Sequence, residues 1–223
     1  MSFQIAIDGP AGAGKSTVAK KTAEELGLIY VDTGAMYRAI ALYLLREQVD
    51  PEKEEELQRA LDQIDIGIGY ENGQQQIFLN GENVSSLIRT QEVSQMASVS
   101  SAKSVVRAKL LDLQQDLARK HGVVMDGRDI GTLILPDAQL KIFLTAAARA
   151  RAMRRYLENQ EKGIECSLDQ IEADIIRRDK QDTERTVAPL KQAEDAVLVD
   201  SSDMTAQEVV DRIVELARER MDA

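Results

Sequence analysis

A glycine-rich loop lies between a strand-like run and a helical pattern near the start of the chain: Ile5-Ala6-Ile7-Asp8-Gly9-Pro10-Ala11-Gly12-Ala13-Gly14-Lys15-Ser16-Thr17. The loop satisfies G-x-x-x-x-G-K-[ST], and a strand before it with a helix after it is the context in which this motif binds phosphate. Its glycines let successive backbone N–H groups point at phosphate oxygens, and the helix N-terminus adds partial positive charge. We therefore predict a triphosphate site, called the phosphate loop below, at residues 9–17.

Two residues of the phosphate loop carry the chemistry of a nucleotide site. Lys15 supplies a mobile cation for the β- and γ-phosphates, and the Ser16 hydroxyl can reach a Mg²⁺ ion. Asp8 and Asp126 each end an apolar run, at the sheet edge where ligands lie in α/β proteins, so either carboxylate could support the metal through water. The apolar lead-in favours Asp126. A carboxylate there can also be only a helix or turn cap, and this alternative stays open.

Short apolar runs alternate with helical patterns along the chain, which is typical of a mostly parallel sheet covered by helices. The predicted strands are residues 5–7, 28–31, 123–125, 140–144 and 197–199. Apolar faces at helical spacing predict helices around residues 106–117 and 209–216, and Thr205 with Glu208 predicts a capping box before the second of these. A length of 223 residues fits one α/β domain with insertions better than two independent domains.

The pattern changes between about residues 64 and 88, where apolar and other residues alternate. Two Asn-Gly pairs interrupt this alternation, Asn72-Gly73 and Asn80-Gly81. Asn-Gly readily adopts the left-handed conformations of tight hairpins, so the stretch predicts a small antiparallel insertion. Such an insertion can carry substrate specificity or can be a plain structural appendage, and the pattern alone does not decide between the two.

The composition narrows the classes of partner. Acidic residues outnumber basic ones by 38 to 28, and the formal net charge of −10 disfavours sequence-independent binding of polymeric nucleic acid. The chain starts without a signal-peptide pattern, and no apolar run reaches transmembrane length. The single cysteine, Cys166, suits a reducing compartment. We therefore expect a cytoplasmic protein without a membrane partner.

Arginines at turn-like positions suggest a second anion. Guanidinium groups match phosphate oxygens and keep their charge when partly desolvated. Arg38 lies near the start of a helix that Thr33 is predicted to cap, where the helix dipole disfavours a cation, so a bound anion would explain it. Arg128 and Asp129 follow the third predicted strand and lie between Gly127 and Gly131. The conformational freedom of these glycines lets both side chains project over the sheet edge. A solvated surface arginine is the alternative for Arg38.

A charged stripe lies further along the chain. Arg178, Asp182 and Arg185 fall at i, i+4 and i+7, so they are predicted to share one helical face. The stripe could bind an anion, or it could be an exposed ion-pair ladder that stabilises each pair by only a few tenths of a kcal/mol.

Another predicted helix is crowded with four arginines: Arg149, Arg151, Arg154 and Arg155. Like charges so close together repel unless an anion compensates them, which suits a mobile lid that closes on ATP phosphates. The alternative is a solvated basic face balanced by Glu158 and Glu161.

These motifs, taken together and in order, resemble the bacterial cytidylate kinase family over essentially the whole chain. The matching stretches are residues 9–17, Asp32-Thr33-Gly34-Ala35-Met36-Tyr37-Arg38, Arg89-Thr90-Gln91-Glu92-Val93, Asp126-Gly127-Arg128-Asp129-Ile130-Gly131-Thr132, the 178–185 stripe and Val187-Ala188-Pro189-Leu190. The phosphate loop is shared with many families, whereas the ordered set is far more specific. One modest departure is Thr33, where some relatives have Ser and the hydroxyl is kept.

The resemblance implies an α/β fold of the nucleoside monophosphate kinase kind, with a parallel sheet flanked by helices, a small antiparallel insertion and a helical lid. It implies one domain with a core at about residues 1–60, 103–147 and 188–223. The insertion that binds the monophosphate would be about residues 61–102, and the lid about residues 148–187. We expect a monomer.

The family's activity implies transfer of the γ-phosphoryl group of ATP, with Mg²⁺, to CMP or dCMP. By resemblance to the family, three residues would bind the cytosine: Ser98, Arg107 and Asp129. Arg178 and Asp182 would hold the sugar. The acceptor phosphate would be bound by Arg38, Arg128 and Arg185, and Thr33 and Tyr37 would belong to the same site. The expected catalytic residues are Lys15, Arg128, Arg185 and, from the lid, Arg154.

Two other readings of the sequence remain. A phosphate-loop kinase could act on another acceptor, such as AMP, UMP or a hydroxyl compound, for which Asp129 could serve as the base. A regulatory nucleotide switch would signal without transfer, but the guanine motif Asn-Lys-x-Asp typical of such modules does not occur.

Overall fold

The computed structural model describes residues 2–222. In chain order the strands are β1 (Gln4–Asp8), β2 (Ile29–Asp32), β3 (Ile66–Glu71), β4 (Gln74–Leu79), β5 (Glu82–Asn83), β6 (Val123–Gly127), β7 (Leu140–Thr145) and β8 (Val197–Asp200). The α-helices are α1 (Lys15–Leu26), α2 (Thr33–Arg46), α3 (Glu54–Asp62), α4 (Gln91–Ser100), α5 (Ser104–Lys120), α6 (Ala148–Glu161), α7 (Leu168–Glu184) and α8 (Ala206–Met221). A 3₁₀ turn at Leu87–Arg89 and a π-helical turn at Ile130–Ile134 complete the regular structure.

The chain divides into two compact units. The first is the chain up to Tyr30 and from Ala118 onward, and the second is Val31–Leu117. The larger sheet has the strand order β2-β6-β1-β7-β8; β1 runs parallel to both β6 and β7, and β7 runs parallel to β8. All five strands predicted for this sheet are confirmed, and so is the α/β class.

The core of the first unit is formed by apolar strands that lie between helices. Ile5, Ile7 and Leu144 of the sheet are buried in one cluster with Val18 of α1 and Ile213 of α8. Runs of apolar residues in β1, β6 and β7 suit strands with both faces covered, since every second residue points to each face. The predicted capping box is present at the start of α8, where the Thr205 and Glu208 side chains each bond the other's backbone N–H.

The register of the larger sheet places polar groups at one edge. Asp8, the last residue of β1, is aligned with Gly127 of β6 and Phe143 of β7. The phosphate loop begins directly after Asp8, and the turn that carries Arg128 begins directly after Gly127. The carboxyl ends of neighbouring parallel strands therefore bring these two loops to the same edge of the sheet.

The second unit contains the predicted antiparallel insertion. Strands β3, β4 and β5 form a three-stranded sheet, and β3 and β4 pair antiparallel from Ile66 with Leu79 to Glu71 with Gln74. Both Asn-Gly turns have positive φ, 51° and 71° at residues 72 and 73, and 50° and 84° at residues 80 and 81. These are the left-handed conformations that the sequence predicts, so the hairpin interpretation is confirmed.

The start of α2 differs from the prediction. Asp32, not Thr33, is the N-cap, because its carboxylate accepts a hydrogen bond of 2.8 Å from the Ala35 N–H. Thr33 is already the first helical residue and is buried. Asp32 is also bound through its backbone: its N–H donates to Oε1 of Gln75 on β4, and its carbonyl accepts from Nε2 of the same side chain, at 2.8 and 3.2 Å.

The predicted division of one domain into core, insertion and lid remains a prediction. Within residues 2–222, no helix has the length and apolar character needed to cross a membrane.

Gly9 leaves no room for a side chain. Its φ is 154°, and an added Cβ would lie 1.9 Å from the carbonyl oxygen of Leu144 in β7. Because that oxygen belongs to the backbone of a central strand, it cannot move aside. We expect Gly9→Ala to lower the free energy of unfolding, measured by urea denaturation, by about 3 kcal/mol or more.

Gly27→Ala is the matched control for this substitution. Gly27 also has positive φ, 66°, but an added Cβ would meet no atom of residues 2–222 within 4 Å apart from its chain neighbours. Only the conformational cost then applies, about 1 kcal/mol. Equal losses in the two variants would contradict the assigned contact between Gly9 and β7.

Candidate active site

The phosphate loop is wound by glycines with positive φ. Gly12 and Gly14 have φ of 76° and 87°, which residues with a side chain rarely adopt. Gly14 is the N-cap of α1 and has no side chain that could bond the first amides of the helix. The N-terminus of α1, with its exposed N–H groups and partial positive charge, is thus available to an anion.

Lys15 is a buried cation at the start of α1. Its ammonium donates a 2.7 Å hydrogen bond to the carbonyl of Pro10, within the same loop. Burial first, and then the positive charge of Arg128, lower the pKa of Lys15 to about 7, although Asp126, Asp8 and Asp182 act in the opposite direction. Two cations that repel each other across a buried site are stabilised when an anion binds between or beside them.

Ser16 and Asp126 form a pair of oxygen donors beside the phosphate loop. The Ser16 hydroxyl donates a 3.0 Å hydrogen bond to Oδ2 of Asp126, and the Tyr30 hydroxyl donates a 2.9 Å bond to Oδ1. Mg²⁺ prefers hard oxygen ligands and usually takes one or two from the protein, completing its shell with water and phosphate. The hydroxyl and carboxylate present here fit that ion.

Asp8 is engaged differently from Asp126. Its two carboxylate oxygens accept hydrogen bonds from the backbone N–H groups of Ile130 and Gly131, at 2.8 and 2.7 Å. Burial raises the pKa of Asp8 to about 6, and these two bonds only partly offset that effect. Asp126 instead contacts Ser16, the other candidate metal ligand, so it fits a supporting role for the metal better than Asp8.

Arg128, Asp182 and Arg185 form a charged cluster in the first unit. Nε of Arg128 donates to Oδ2 of Asp182 at 2.8 Å, and Nη1 of Arg185 lies 4.0 Å from Oδ1 of the same carboxylate. Nη2 of Arg185 also lies 3.9 Å from Oδ1 of Asp129. Burial opposes the ionisation of Asp182, but Arg128, Arg185 and Arg178 outweigh it and hold the pKa of Asp182 below its usual value.

The helical face predicted for Arg178, Asp182 and Arg185 is only partly correct. Helix α7 ends at Glu184, and Arg185 is its C-cap in an extended conformation, with φ −62° and ψ 142°. Nε of Arg185 donates to the carbonyl of Ala188 at 2.6 Å. The alternative of an exposed ladder does not fit, because the Asp182 and Arg185 side chains are each 9% exposed.

In the second unit, Arg38 has an anionic partner of its own. Nη2 of Arg38 lies 3.0 Å from Oδ2 of Asp32, the carboxylate that caps α2. This contact reduces the unfavourable effect of a cation near a helix N-terminus. The Arg38 side chain is 25% exposed, so it is neither a freely solvated arginine nor fully buried.

Two of the three residues expected to read the base, Ser98 and Arg107, also lie in the second unit. The Arg107 guanidinium carbon lies 5.3 Å from the centre of the Tyr37 ring, within the range of a cation–π contact. Arg107 also donates to the carbonyl of Ser101 at 3.1 Å, and the Ser101 hydroxyl donates to the carbonyl of Ser98 at 3.3 Å. Tyr37, Ser98 and Arg107 are thus linked through α2, α4 and the start of α5.

Residues 5–219 match the family model described as cytidylate kinase, nearly the whole chain. The chain belongs to the cytidylate kinase family. The family resemblance drawn from the ordered motifs is confirmed. Among curated cytidylate kinases, those of Bacillus cereus strain G9842 and Caldicellulosiruptor saccharolyticus are 49% and 51% identical to it. Each alignment spans 214 residues, 96% of this chain and 95% of the relative.

One solved structure supports the fold at low sequence identity. An uncharacterized protein from Eubacterium ventriosum superposes with a TM-score of 0.53 at 13% identity, covering 97% of this chain and 99% of that one. At so low an identity the likeness concerns the fold alone.

Arg154, the arginine expected in the lid of a cytidylate kinase, contacts the loop after β8. Its guanidinium donates to the backbone carbonyl and hydroxyl of Ser201 and to the carbonyl of Met204. These bonds hold Arg154 against the start of α8. Its catalytic role stays a prediction.

Arg151, one turn earlier on α6, contacts the phosphate loop directly. It is 5% exposed, forms a two-pronged ion pair with Asp179 of α7 at 3.1 and 2.6 Å, and donates to the carbonyl of Ala11 at 2.8 Å. Two of the four arginines of α6 are thus balanced by carboxylates of α7, because Arg149 also pairs with Asp169 and Glu172.

Three of these features were missed in the sequence. The partnership of Tyr30 with Asp126 spans 96 positions and has no local signal. The contact between Arg151 and Ala11 spans 140 positions and has none either. The capping role of Asp32 did have a signal, since Asp is at least as favourable an N-cap as Thr.

The lowered pKa of Lys15 predicts that nucleotide binding takes up a proton. With a pKa near 7 the side chain is mostly neutral at pH 8, and a bound triphosphate favours its charged form. Calorimetric titration with a non-hydrolysable ATP analogue, in two buffers of different ionisation enthalpy, should therefore show uptake of most of one proton per site at pH 8.

Two controls accompany this measurement. At pH 6 Lys15 is already protonated, so the uptake assigned to it should nearly vanish. The Lys15→Met variant should show none at pH 8. Equal uptake by Lys15→Met and the unaltered protein at pH 8 would assign the proton to another group.

Proposed function

We propose that this protein transfers the γ-phosphoryl group of ATP to CMP or dCMP, giving ADP and CDP or dCDP. The acceptor is inferred from membership of the cytidylate kinase family and from the charged groups described above. The residues proposed to bind CMP are Thr33, Tyr37, Arg38, Ser98, Arg107, Arg128, Asp129, Arg178, Asp182 and Arg185.

The main support is the concentration of positive charge at the phosphate loop of the first unit. Arg128 lies close enough to Lys15 to lower its pKa, and Arg185 joins Arg128 through the carboxylate of Asp182. A phosphate loop alone accounts for a bound triphosphate. The added guanidinium groups supply the means to hold a second phosphate, as transfer between two phosphates requires.

The chemistry of this transfer needs little from the protein beyond alignment and charge stabilisation. An oxygen of the acceptor phosphate forms a bond to the γ-phosphorus while the bond to the β–γ bridging oxygen breaks, and the electron pair leaves on ADP. The attacking oxygen is already anionic, so no strong general base is needed. The single histidine, His121, is exposed and is not required.

In the proposed mechanism, cationic groups stabilise the charge of the transferring phosphoryl group. Lys15 and the amides at the start of α1 would bind the β- and γ-phosphates, and Arg128 and Arg185 would bind the acceptor phosphate. Ser16, supported by Asp126, would hold Mg²⁺. When bound, Mg²⁺ neutralises charge on the β- and γ-phosphate oxygens. Closure of α6 and α7 as a lid would exclude water, a competing acceptor.

Base recognition is proposed for Ser98, Arg107 and Asp129. Guanidinium and hydroxyl groups can donate to the cytosine carbonyl and ring nitrogen, whereas a carboxylate accepts from its exocyclic amino group. Uracil has a carbonyl in place of that amino group, so Asp129 is the residue that would discriminate most strongly between CMP and UMP.

The substrate proposal is tested by incubating the protein with Mg-ATP and a panel of CMP, dCMP, UMP, AMP and shikimate, and measuring ADP release. ADP release with CMP and dCMP well above that with the other acceptors is expected. The alternative is a phosphate-loop kinase for another small acceptor, and it would be recognised by turnover with AMP, UMP or shikimate and none with CMP.

A cytoplasmic monomer acting on small nucleotides completes the proposal. The single cysteine is compatible with a reducing compartment, and the net charge of −10 disfavours polymeric nucleic acid as a partner.

Arg185→Ala is expected to lower kcat with CMP by about a hundredfold or more, because it removes a buried cation proposed to bind the acceptor phosphate during transfer. Arg177→Ala is the control: Arg177 lies on α7, the helix that Arg185 follows, is 70% exposed and pairs with Asp174, so kcat should stay within about twofold. Turnover by Arg185→Ala equal to that by Arg177→Ala would contradict the role of Arg185.

Asp129→Ala is expected to lower the preference for CMP over UMP, measured as the ratio of kcat/KM values, by about tenfold or more. Asp137→Ala, at an exposed position beyond the same turn, is the control. An unchanged ratio in Asp129→Ala would remove Asp129 from base recognition.

A further inference from the structure

The carboxylate of Asp8 holds the turn that follows β6. Asp8 is 4% exposed, and its two oxygens accept from the consecutive backbone N–H groups of Ile130 and Gly131. These bonds join Asp8 to residues that lie 122 and 123 positions later in the chain. An ionised carboxylate that accepts two amide hydrogen bonds is a strong and directional anchor.

The turn that Asp8 binds has an irregular backbone, and its internal hydrogen bonds do not hold its N-terminal end. Asp129 has φ −145° and ψ 25°, outside helical or extended values, and residues 130–134 form a π-helical turn. The carbonyl of Asp129 accepts from both Leu133 and Ile134, so the N–H groups of Ile130 and Gly131 lie at the free N-terminal end of the turn. Asp8 is the group that binds this end.

The residues just before these two amides are Arg128 and Asp129, whose side chains face the cluster with Asp182 and Arg185. Asp8 itself is followed at once by the phosphate loop. The buried carboxylate of Asp8 therefore connects the phosphate loop to the turn that carries Arg128 and Asp129, two residues proposed for the acceptor site.

We propose that Asp8 is a positioning residue for the acceptor: it sets where Arg128 and Asp129 lie relative to the phosphate loop without touching either nucleotide. The inference rests on the proposed function, because it assumes that Arg128 and Asp129 bind the acceptor. Positioning matters because small displacements of aligned groups cost large factors in rate.

Asp8→Asn is the primary variant. Asn has nearly the same shape but offers one acceptor oxygen, and its NH₂ group would oppose the second amide. The acceptor kcat/KM, measured with CMP at saturating Mg-ATP, should fall about tenfold or more. The affinity for a non-hydrolysable ATP analogue should stay equal or become tighter, because the substitution removes a negative charge near Lys15.

Asp200→Asn is the matched control. Asp200 ends β8 of the same sheet, and its carboxylate accepts from the backbone N–H of Ser202, but it has no contact with the turn after β6 in the described residues. For this variant, kcat and KM with CMP should each remain within about twofold of the values of the unaltered protein.

The outcomes separate the inference from the proposed function. If the unaltered protein does not phosphorylate CMP, the proposed function fails and this inference falls with it. If it does, and Asp8→Asn lowers the kcat/KM for CMP and the affinity for the ATP analogue by the same factor, Asp8 has only a general structural role and the proposal is wrong. Unaltered CMP kinetics in Asp8→Asn would equally overturn the proposal.

Gly131→Ala decides the matter if Asp8→Asn does not fold. A Cβ at Gly131 would lie 3.1 Å from Cδ and 3.3 Å from Cγ of Lys141, closer than an ordinary contact, and the Lys141 side chain is itself buried and paired with Asp195. The turn should shift slightly with the charge of Asp8 retained, and KM for CMP should rise by about threefold with the ATP analogue unaffected. An unchanged KM, or equal weakening of both ligands, would overturn the proposal.

Discussion

Positive charge held away from water at the end of β1 is the constraint on which this site depends. Lys15 is buried, and Arg128 adds a second cation near enough to disfavour its charged form. Removing cations from water is costly unless counter-charges or hydrogen bonds compensate. The carboxylates of Asp126, Asp8 and Asp182 compensate only in part, so a bound phosphate would stabilise the arrangement further.

The same constraint explains how an acidic protein can bind acidic ligands. The net charge of −10 is a sum over the whole chain, whereas Lys15, Arg128 and Arg185 lie close to one another beyond the end of β1. Local charge in a partly desolvated cleft dominates over distant charges that solvent screens. The overall composition therefore argues against a polymeric anion without arguing against a nucleotide.

Most of the fold was predictable because its signals are local. The five strands of the larger sheet, the two Asn-Gly turns and the capping box of α8 each follow from residues within a few positions of one another. The site was predictable as a set of residues, since the phosphate loop and the ordered motifs are explicit in the sequence. Their partners were not, because Tyr30 meets Asp126, and Asp8 meets Gly131, only after the sheet has formed. The end of α7 was misplaced for a related reason: Arg185 continues the helical spacing, but Ala188 accepts its Nε–H outside the helix.

The double hydrogen bond between Gln75 and the backbone of Asp32 ties the small sheet to the start of α2. A side-chain amide that both donates and accepts substitutes for a neighbouring strand, so β4 completes the hydrogen bonding of the residue that opens α2. Trimming the hairpin away would leave a backbone N–H and a carbonyl without these bonds beside Arg38. The hairpin is thus a structural part of the helix start that it adjoins, and shortening it would disturb α2 as well as the small sheet.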